Sequence, residues 1–144
     1  MEIRRVESDG KGFEDAVSVR RAVFIDEQDI PEDKELDGKD GDAAHFVAYD
    51  GGTPVGTARL RGYDGPAETA KVERVAVRAE RRTEGIGRRL MSAVEEAARE
   101  GTYTTVVLHA QIPVVPFYRK LGYETLGEAF EEAGIAHRKM RKEL

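Results

Sequence analysis

Cysteine is absent from the 144 residues. That excludes a disulfide framework, a thiolate metal site and a cysteine nucleophile. Only three histidines occur, His45, His109 and His137. They lie far apart and have no metal-ligand spacing, so no metal is expected. No apolar run approaches the roughly 18–20 residues that cross a bilayer. The N-terminus, MEIRRVESDG, lacks the apolar core of a signal peptide. No membrane association is expected, and a cytoplasmic location fits best. Positive charge is not in excess either. Twenty-eight acidic against 23 basic residues give a net charge of −5, which argues against non-specific nucleic-acid binding. No internal repeat and no interdomain linker is visible.

What is present describes one folded domain spanning residues 1–144. Hydrophobic residues make up 40% and charged residues 35%, a globular and not a disordered profile. The length suffices for a sizeable core. Periodicity changes several times, as a mixed α/β chain requires. Glu2 to Val6 reads as a short strand. Phe13, Ala16, Val17, Val23 and Phe24 predict an amphipathic helix over about Phe13 to Ile25. The acidic stretch Asp26 to Asp42, with Pro31, Gly38 and Gly41, reads as a long loop with room for a short helix. His45 to Tyr49 and Pro54 to Arg61 form a hairpin about Asp50-Gly-Gly. Thr69 to Val77 is a further strand. Ile86, Leu90, Val94 and Ala97 then fall at helical spacing up to a Gly101 cap. A strand over Thr104 to His109, a short helix from Pro116 to near Gly122, and strands at Glu124 to Leu126 and Ala136 to Met140 complete the chain.

The stretch Val75-Ala-Val-Arg-Ala-Glu-Arg-Arg-Thr-Glu-Gly-Ile-Gly-Arg-Arg-Leu90 carries the most information. It is a strand, a charged turn, two glycines one residue apart, and a helix start. Gly85 and Gly87 permit close backbone approach, the helix dipole favours negative charge, and Arg81, Arg82, Arg88 and Arg89 lie nearby. A phosphate or pyrophosphate suits that point. A Walker loop needs Gly-Lys-Ser/Thr, but Arg88-Arg89 follows Gly87. A dinucleotide turn needs a third glycine. From these residues alone, a tight turn on a solvated, arginine-rich surface stays open.

Arg82-Thr-Glu-Gly85-Ile-Gly87, following Val75-Ala-Val, resembles the acetyl-CoA signature of the GNAT superfamily of N-acetyltransferases. Pro116-Phe-Tyr-Arg-Lys-Leu-Gly-Tyr-Glu124 is similar to that family's later motif. Arg20-Arg-Ala-Val-Phe-Ile-Asp-Glu-Gln28, Pro31, Glu35-Leu-Asp37, Asp40, Ala44-His-Phe46 and Ala110-Gln111 resemble the ElaA/YjcF branch. Thr83 and Glu84 depart from the glycine and the basic or amide residue common there. An acidic Glu84 weakens anion binding unless it points away.

The resemblance implies a single α/β (α+β) domain with a mixed, largely antiparallel sheet and about four helices. It implies acetyl-CoA as co-substrate. The pyrophosphate lies over Arg82, Thr83, Glu84, Gly85, Ile86, Gly87 and Arg88, and the pantetheine arm runs beside Val75, Ala76 and Val77. Transfer goes directly to a small-molecule or peptidyl amine. The base expected is Glu73, acting through water; without a bulge, alternation puts it on the face of Val75 and Val77. The acid expected is Tyr118, with Val75 or Val77 N–H on the carbonyl oxygen. His109 is the runner-up for acid–base work, Gln111 is a ligand-orienting candidate, and His45 reads as structural. The acidic segment Glu27 to Asp42 is a candidate lining of the acceptor site, a solvated loop being the alternative. The final strands offer a route to a homodimer. The rivals are a non-catalytic acyl-CoA-binding sensor module and an interaction domain that binds no CoA.

Overall fold

The computed structural model describes residues 1–144. In chain order the elements are β1 (Glu2–Val6), α1 (Lys11–Arg20) continuing as a π-helix (Arg21–Glu27), and α2 (Glu32–Glu35). After a 3₁₀ turn (Asp40–Asp42) come β2 (Ala44–Asp50), β3 (Thr53–Gly62) and β4 (Thr69–Val77). A second 3₁₀ turn (Ala79–Arg81) leads to α3 (Ile86–Glu100) and β5 (Thr105–Gln111). A third (Ile112–Val114) leads to α4 (Val115–Lys120), β6 (Glu124–Glu132) and β7 (Ile135–Glu143). One sheet runs β1-β2-β3-β4-β5-β7-β6. Every neighbouring pair is antiparallel except β4 with β5. This is the mixed, largely antiparallel sheet with four helices that the family resemblance implied.

Local chemistry sets the turns. The β2–β3 hairpin closes through Gly51 and Gly52, both at positive φ, the hand that suits a two-residue hairpin. β6 and β7 close the same way through Ala133 and Gly134. These two strands are nine residues each, far longer than the sequence pattern indicated. β6 is an edge strand, mostly exposed and carrying Glu124, Glu128, Glu131 and Glu132, so it shows no apolar alternation. The helix expected over Phe13 to Ile25 exists, but its second half is wider. The amide of Gln28 donates to Val23 O, five residues back, at 3.1 Å.

α3 buries Ile86, Leu90, Met91, Val94 and Ala98 against one face of the sheet, which supplies Leu60, Val72, Val106 and Leu108. Truncating a central member such as Leu90 to alanine costs about 2–5 kcal/mol. Close contact is built in at Gly56, where a Cβ would lie 3.0 Å from both Ile86 Cγ2 and Leu90 Cδ1. α1 and its π-helical continuation cover the opposite face, packing Val19 and Val23 on Ala76, and Ala16 on Val47 and Tyr49.

Two irregularities at the sheet centre shape the molecule. β4 and β5 pair only from Thr69–Val72 to Thr105–Leu108, so beyond those rungs the sheet forks. β4 also bulges: Glu73 opposes Arg59 and Ala76 opposes Thr57, which leaves Arg74 and Val75 facing Ala58 alone. Arg74 sits at φ 58°. The bulge corrects the expected alternation. Val75 and Val77 pack on the core under α3, whereas Ala76 joins α1 and Glu73 meets Arg59, Arg61 and Lys71 on that side.

Candidate active site at the fork

From Glu73 to Val77 the β4 edge facing β5 has no ladder partner. The chain leaves β4 at Val77, passes Thr83 at φ 69° and Gly85 at φ 82°, and enters α3. Gly85 is the N-cap and no side chain caps the helix. The first bond into the helix is Arg89 N–H to Gly85 O, 3.2 Å, so the amides of Ile86, Gly87 and Arg88 precede it. Gly85 is needed for its left-handed backbone. Gly87 has a packing reason: a Cβ there would sit 3.1 Å from Phe117 Cζ on α4.

The arginines around this turn are unequal. Arg88 is exposed and makes no ion pair. Arg81 is shared by Asp50 and Glu84, at 2.8 and 3.0 Å, so the Glu84 carboxylate is drawn sideways to Arg81. Arg82 donates its Nε to Val77 O at 3.0 Å and grips Glu27 with both terminal nitrogens. The turn therefore offers free helix amides, two arginines without a carboxylate partner (Arg88 and Arg89) and two already engaged (Arg81 and Arg82), a donor set that suits a pyrophosphate.

On the α3 side of the fork lies Tyr118 of α4, 6% exposed, its ring edge-on to Phe117 and Tyr123. Tyr123 donates to Glu95 at 2.8 Å, whereas the Tyr118 hydroxyl has no protein partner. Burial pushes the Tyr118 phenol well above its ordinary value, so it keeps its proton.

On the α1 side Glu73 receives Arg59 at 2.9 Å, Lys71 at 3.2 Å and the Nε of Arg61. Burial opposes ionisation, but the Arg61 hydrogen bond and the surrounding cations prevail and hold its pKa at about 2. The same network takes in the acidic segment. Arg59 also binds Asp37 and Asp40, each at 2.9 Å, and Arg20 binds Glu35 at 2.7 Å and Asp40 at 2.8 Å. Arg74 Nε lies 2.7 Å from Glu35 Oε2, and its Nη2 donates to the carbonyls of Lys34 and Glu35. Arg20, Arg59 and Glu35 are each at most 2% exposed. Glu27, Glu32, Glu35, Asp37 and Asp40 of this segment are thus paired with arginines, while most of its residues stay exposed.

The histidines divide cleanly. His45 is buried, with Nε2 3.0 Å from Asp40 O, and burial lowers its pKa. His137 bonds Ile135 O through Nδ1 at 2.7 Å. His109 is partly exposed, its Nδ1 3.0 Å from Glu132 Oε2. Gln111 forms a double amide pair with Gln28, at 2.9 and 3.2 Å, joining the end of β5 to the end of the π-helix. Val75 and Val77 of the unpaired β4 edge border the core cluster that holds Tyr118, Glu73 lies on the other side of the sheet, and the turn residues follow at the end of β4. Arg59, Arg74 and Glu132 carry no motif in the sequence, and Gln28 belongs to the stretch that resembles the ElaA/YjcF branch, without a role of its own. The one signal for the first two was the number of arginines available to an acidic segment.

Residues 14–144 match the acetyltransferase (GNAT) domain family. The N-acetyltransferase YjcF of Bacillus subtilis (strain 168), itself uncharacterized, is 42% identical over 132 residues, 91% of this chain and 92% of its own. The crystal structure of Escherichia coli ElaA aligns with a TM-score of 0.86 at 30% identity over 99% of each chain. An aminoglycoside 6'-N-acetyltransferase complexed with coenzyme A shares the fold, with a TM-score of 0.76 over 99% of this chain and 97% of that one, at 16% identity. The family match runs through the forked β4, the glycine turn and the Tyr118 helix, and the chain belongs to the GNAT acetyltransferases, in their ElaA/YjcF-like branch.

Proposed function

We propose that the protein transfers the acetyl group of acetyl-CoA directly to a primary amine, small-molecule or peptidyl. The fork carries this reading: Val75 and Val77 of an unladdered β4 edge border the core cluster that holds the Tyr118 phenol, a group with no protein hydrogen-bond partner. The fold neighbour complexed with coenzyme A supports the cofactor. Val75, Ala76 and Val77 offer backbone to the pantetheine arm. The amides of Ile86, Gly87 and Arg88, with Gly85 and the Arg88 side chain, hold the pyrophosphate, flanked by Arg82, Thr83 and Glu84. Pyrophosphate competes with Glu27 for Arg82.

In this reading Tyr118 protonates the departing thiolate, since burial keeps the phenol neutral until a proton is required. Glu73 serves through water, orienting the amine at the fork. Held at about 2, its carboxylate is a weak proton acceptor for an amine of pKa about 10. No helix is long and apolar enough to cross a membrane, and we place the protein in the cytoplasm. Pairing β6 edges across a two-fold would bring the glutamates of both copies together, which disfavours that route to a homodimer.

The test is thiol release from acetyl-CoA with a panel of primary amines, beside thermal unfolding with coenzyme A. Release with at least one amine and a raised Tm are expected. A raised Tm without release for any amine makes the protein a sensor, and no stabilisation at saturating coenzyme A removes the cofactor from the reading.

A further inference from the structure

The fork holds a second titratable group that the reaction as drawn does not use. His109 is the first residue of β5 beyond the last rung shared with β4, as Glu73 is on β4. Val72 and Leu108, the last paired residues, face the core under α3. Strand alternation therefore turns both Glu73 and His109 to the opposite face. The His109 side chain is 21% exposed, and its Nδ1 lies 3.0 Å from Glu132 Oε2 on the neighbouring hairpin. An ionised carboxylate only accepts, so Nδ1 carries the hydrogen and Nε2 of the neutral ring keeps a free lone pair. No protein group bonds Nε2. Phe130 meets the imidazole edge-on at 4.9 Å, and His137 stacks on Phe130, which fixes the ring plane.

We propose that His109, oriented by Glu132, accepts the proton from the acceptor nitrogen, an assignment that rests on the acetyl-transfer reading above. The amine attacks the thioester, a C–N bond forms and the C–S bond breaks. Nitrogen loses its extra proton to His109 Nε2, and sulfur leaves with the bonding pair and takes the Tyr118 proton. Exchange with water returns one proton from the imidazolium to the tyrosinate, and free thiol and amide remain. The two proton-bearing groups stand on opposite faces of the fork, so one receives while the other donates. Glu132 stays ionised to stabilise the imidazolium, its pKa lowered chiefly by the hydrogen bond from His109.

Around the His109–Glu132 pair stand Lys139, cross-strand from His109 on β7, His137 on the same strand, and Lys71 on β4, with Glu73 on that face of β4 by its contact with Lys71. Lys139 is itself held by the Tyr63 hydroxyl at 2.8 Å, and Lys71 by Glu73 at 3.2 Å. Glu132 is therefore the one anion hydrogen-bonded to the ring, while Glu73 is already neutralised by Arg59, Arg61 and Lys71.

The decisive experiment is the pH profile of kcat/KM for thiol release by wild type, His109→Gln and Glu132→Gln, each checked for coenzyme A-induced stabilisation. Wild type should show an ascending limb. His109→Gln should lose that limb and about 100-fold or more in kcat, with KM for acetyl-CoA unchanged. Glu132→Gln should keep the limb but lose part of kcat, because the ring is no longer oriented. A His109→Gln enzyme with the wild-type limb and kcat overturns the base assignment and leaves acetyl transfer standing. No thiol release by the wild type with any amine overturns the transfer reading, and the base assignment falls with it. If a variant does not fold, nitrogen-detected NMR of the wild type decides: a neutral His109 ring protonated at Nε2 overturns the proposal.

Discussion

Glu27 grips Arg82 through both carboxylate oxygens, at 2.6 and 2.7 Å, across 55 residues of chain. Arg82 begins the glycine turn and Glu27 ends the π-helix, so the pair ties the cofactor end of the molecule to the segment leading into the acidic network. The bond is exposed, with both side chains about 40% accessible, and pairs of this kind contribute at most about 1 kcal/mol.

Releasing Arg82 should therefore help the cofactor. Glu27→Gln is expected to tighten coenzyme A binding about two- to fivefold by calorimetry at low salt, an effect that shrinks as salt rises. Weaker binding by this variant would mean that Glu27 presents Arg82 to the ligand instead of competing for it.

Arg74 joins backbone strain to charge. Its left-handed conformation costs about 1–2 kcal/mol for a residue bearing a Cβ, while its guanidinium binds Glu35, Asp37 and two carbonyls. Arg74→Ala and Arg74→Gly both lose the guanidinium, but glycine relieves the strain. Urea unfolding should rank wild type above Arg74→Gly, and Arg74→Gly above Arg74→Ala by about 1 kcal/mol. The reverse order between the variants would show that the bulge does not persist without the arginine.

Arg59 is fully buried and meets Asp37, Asp40 and Glu73. Arg59→Met leaves those carboxylates short of their partner and should cost about 3–5 kcal/mol. The pH dependence has a definite sign. Glu73 is held at about 2 and Asp37 is also lowered, below their unfolded values. Their contribution is thus complete above about pH 4.5 and is lost as pH falls towards 2. The fall in Tm over that window should be shallower in Arg59→Met, which thermal scans at successive pH values will measure.

Tyr118→Phe removes a hydroxyl that bonds no protein group, so little stability is lost. Thiol release should fall about 100-fold or more in kcat while coenzyme A affinity holds. An unchanged kcat would reduce Tyr118 to a core aromatic packed between Phe117 and Tyr123.

The sequence by itself determined the unit from β4 through the glycine turn into α3. Its cues are local: a β-branched run, a glycine for a left-handed cap, and Ile86, Leu90 and Val94 at helical spacing on the buried face. The Asp50-Gly-Gly hairpin was legible for the same reason, because Gly51 and Gly52 supply the turn alone. Tertiary structure decided what depends on distant partners. Arg59 reads as a surface residue until Asp37 and Asp40 neutralise it, and only then can it be buried. Arg74 looks like one more strand residue, yet the pairing of β3 with β4 makes it a bulge and turns Glu73 away from Val75. β6 has no apolar pattern to announce nine residues of strand, because an edge needs only one partner. His109 and Glu132, 23 residues apart, meet only because β7 lies between β5 and β6 in the sheet. Short-range preferences built the frame of the site, and long-range pairing and burial set the charges within it.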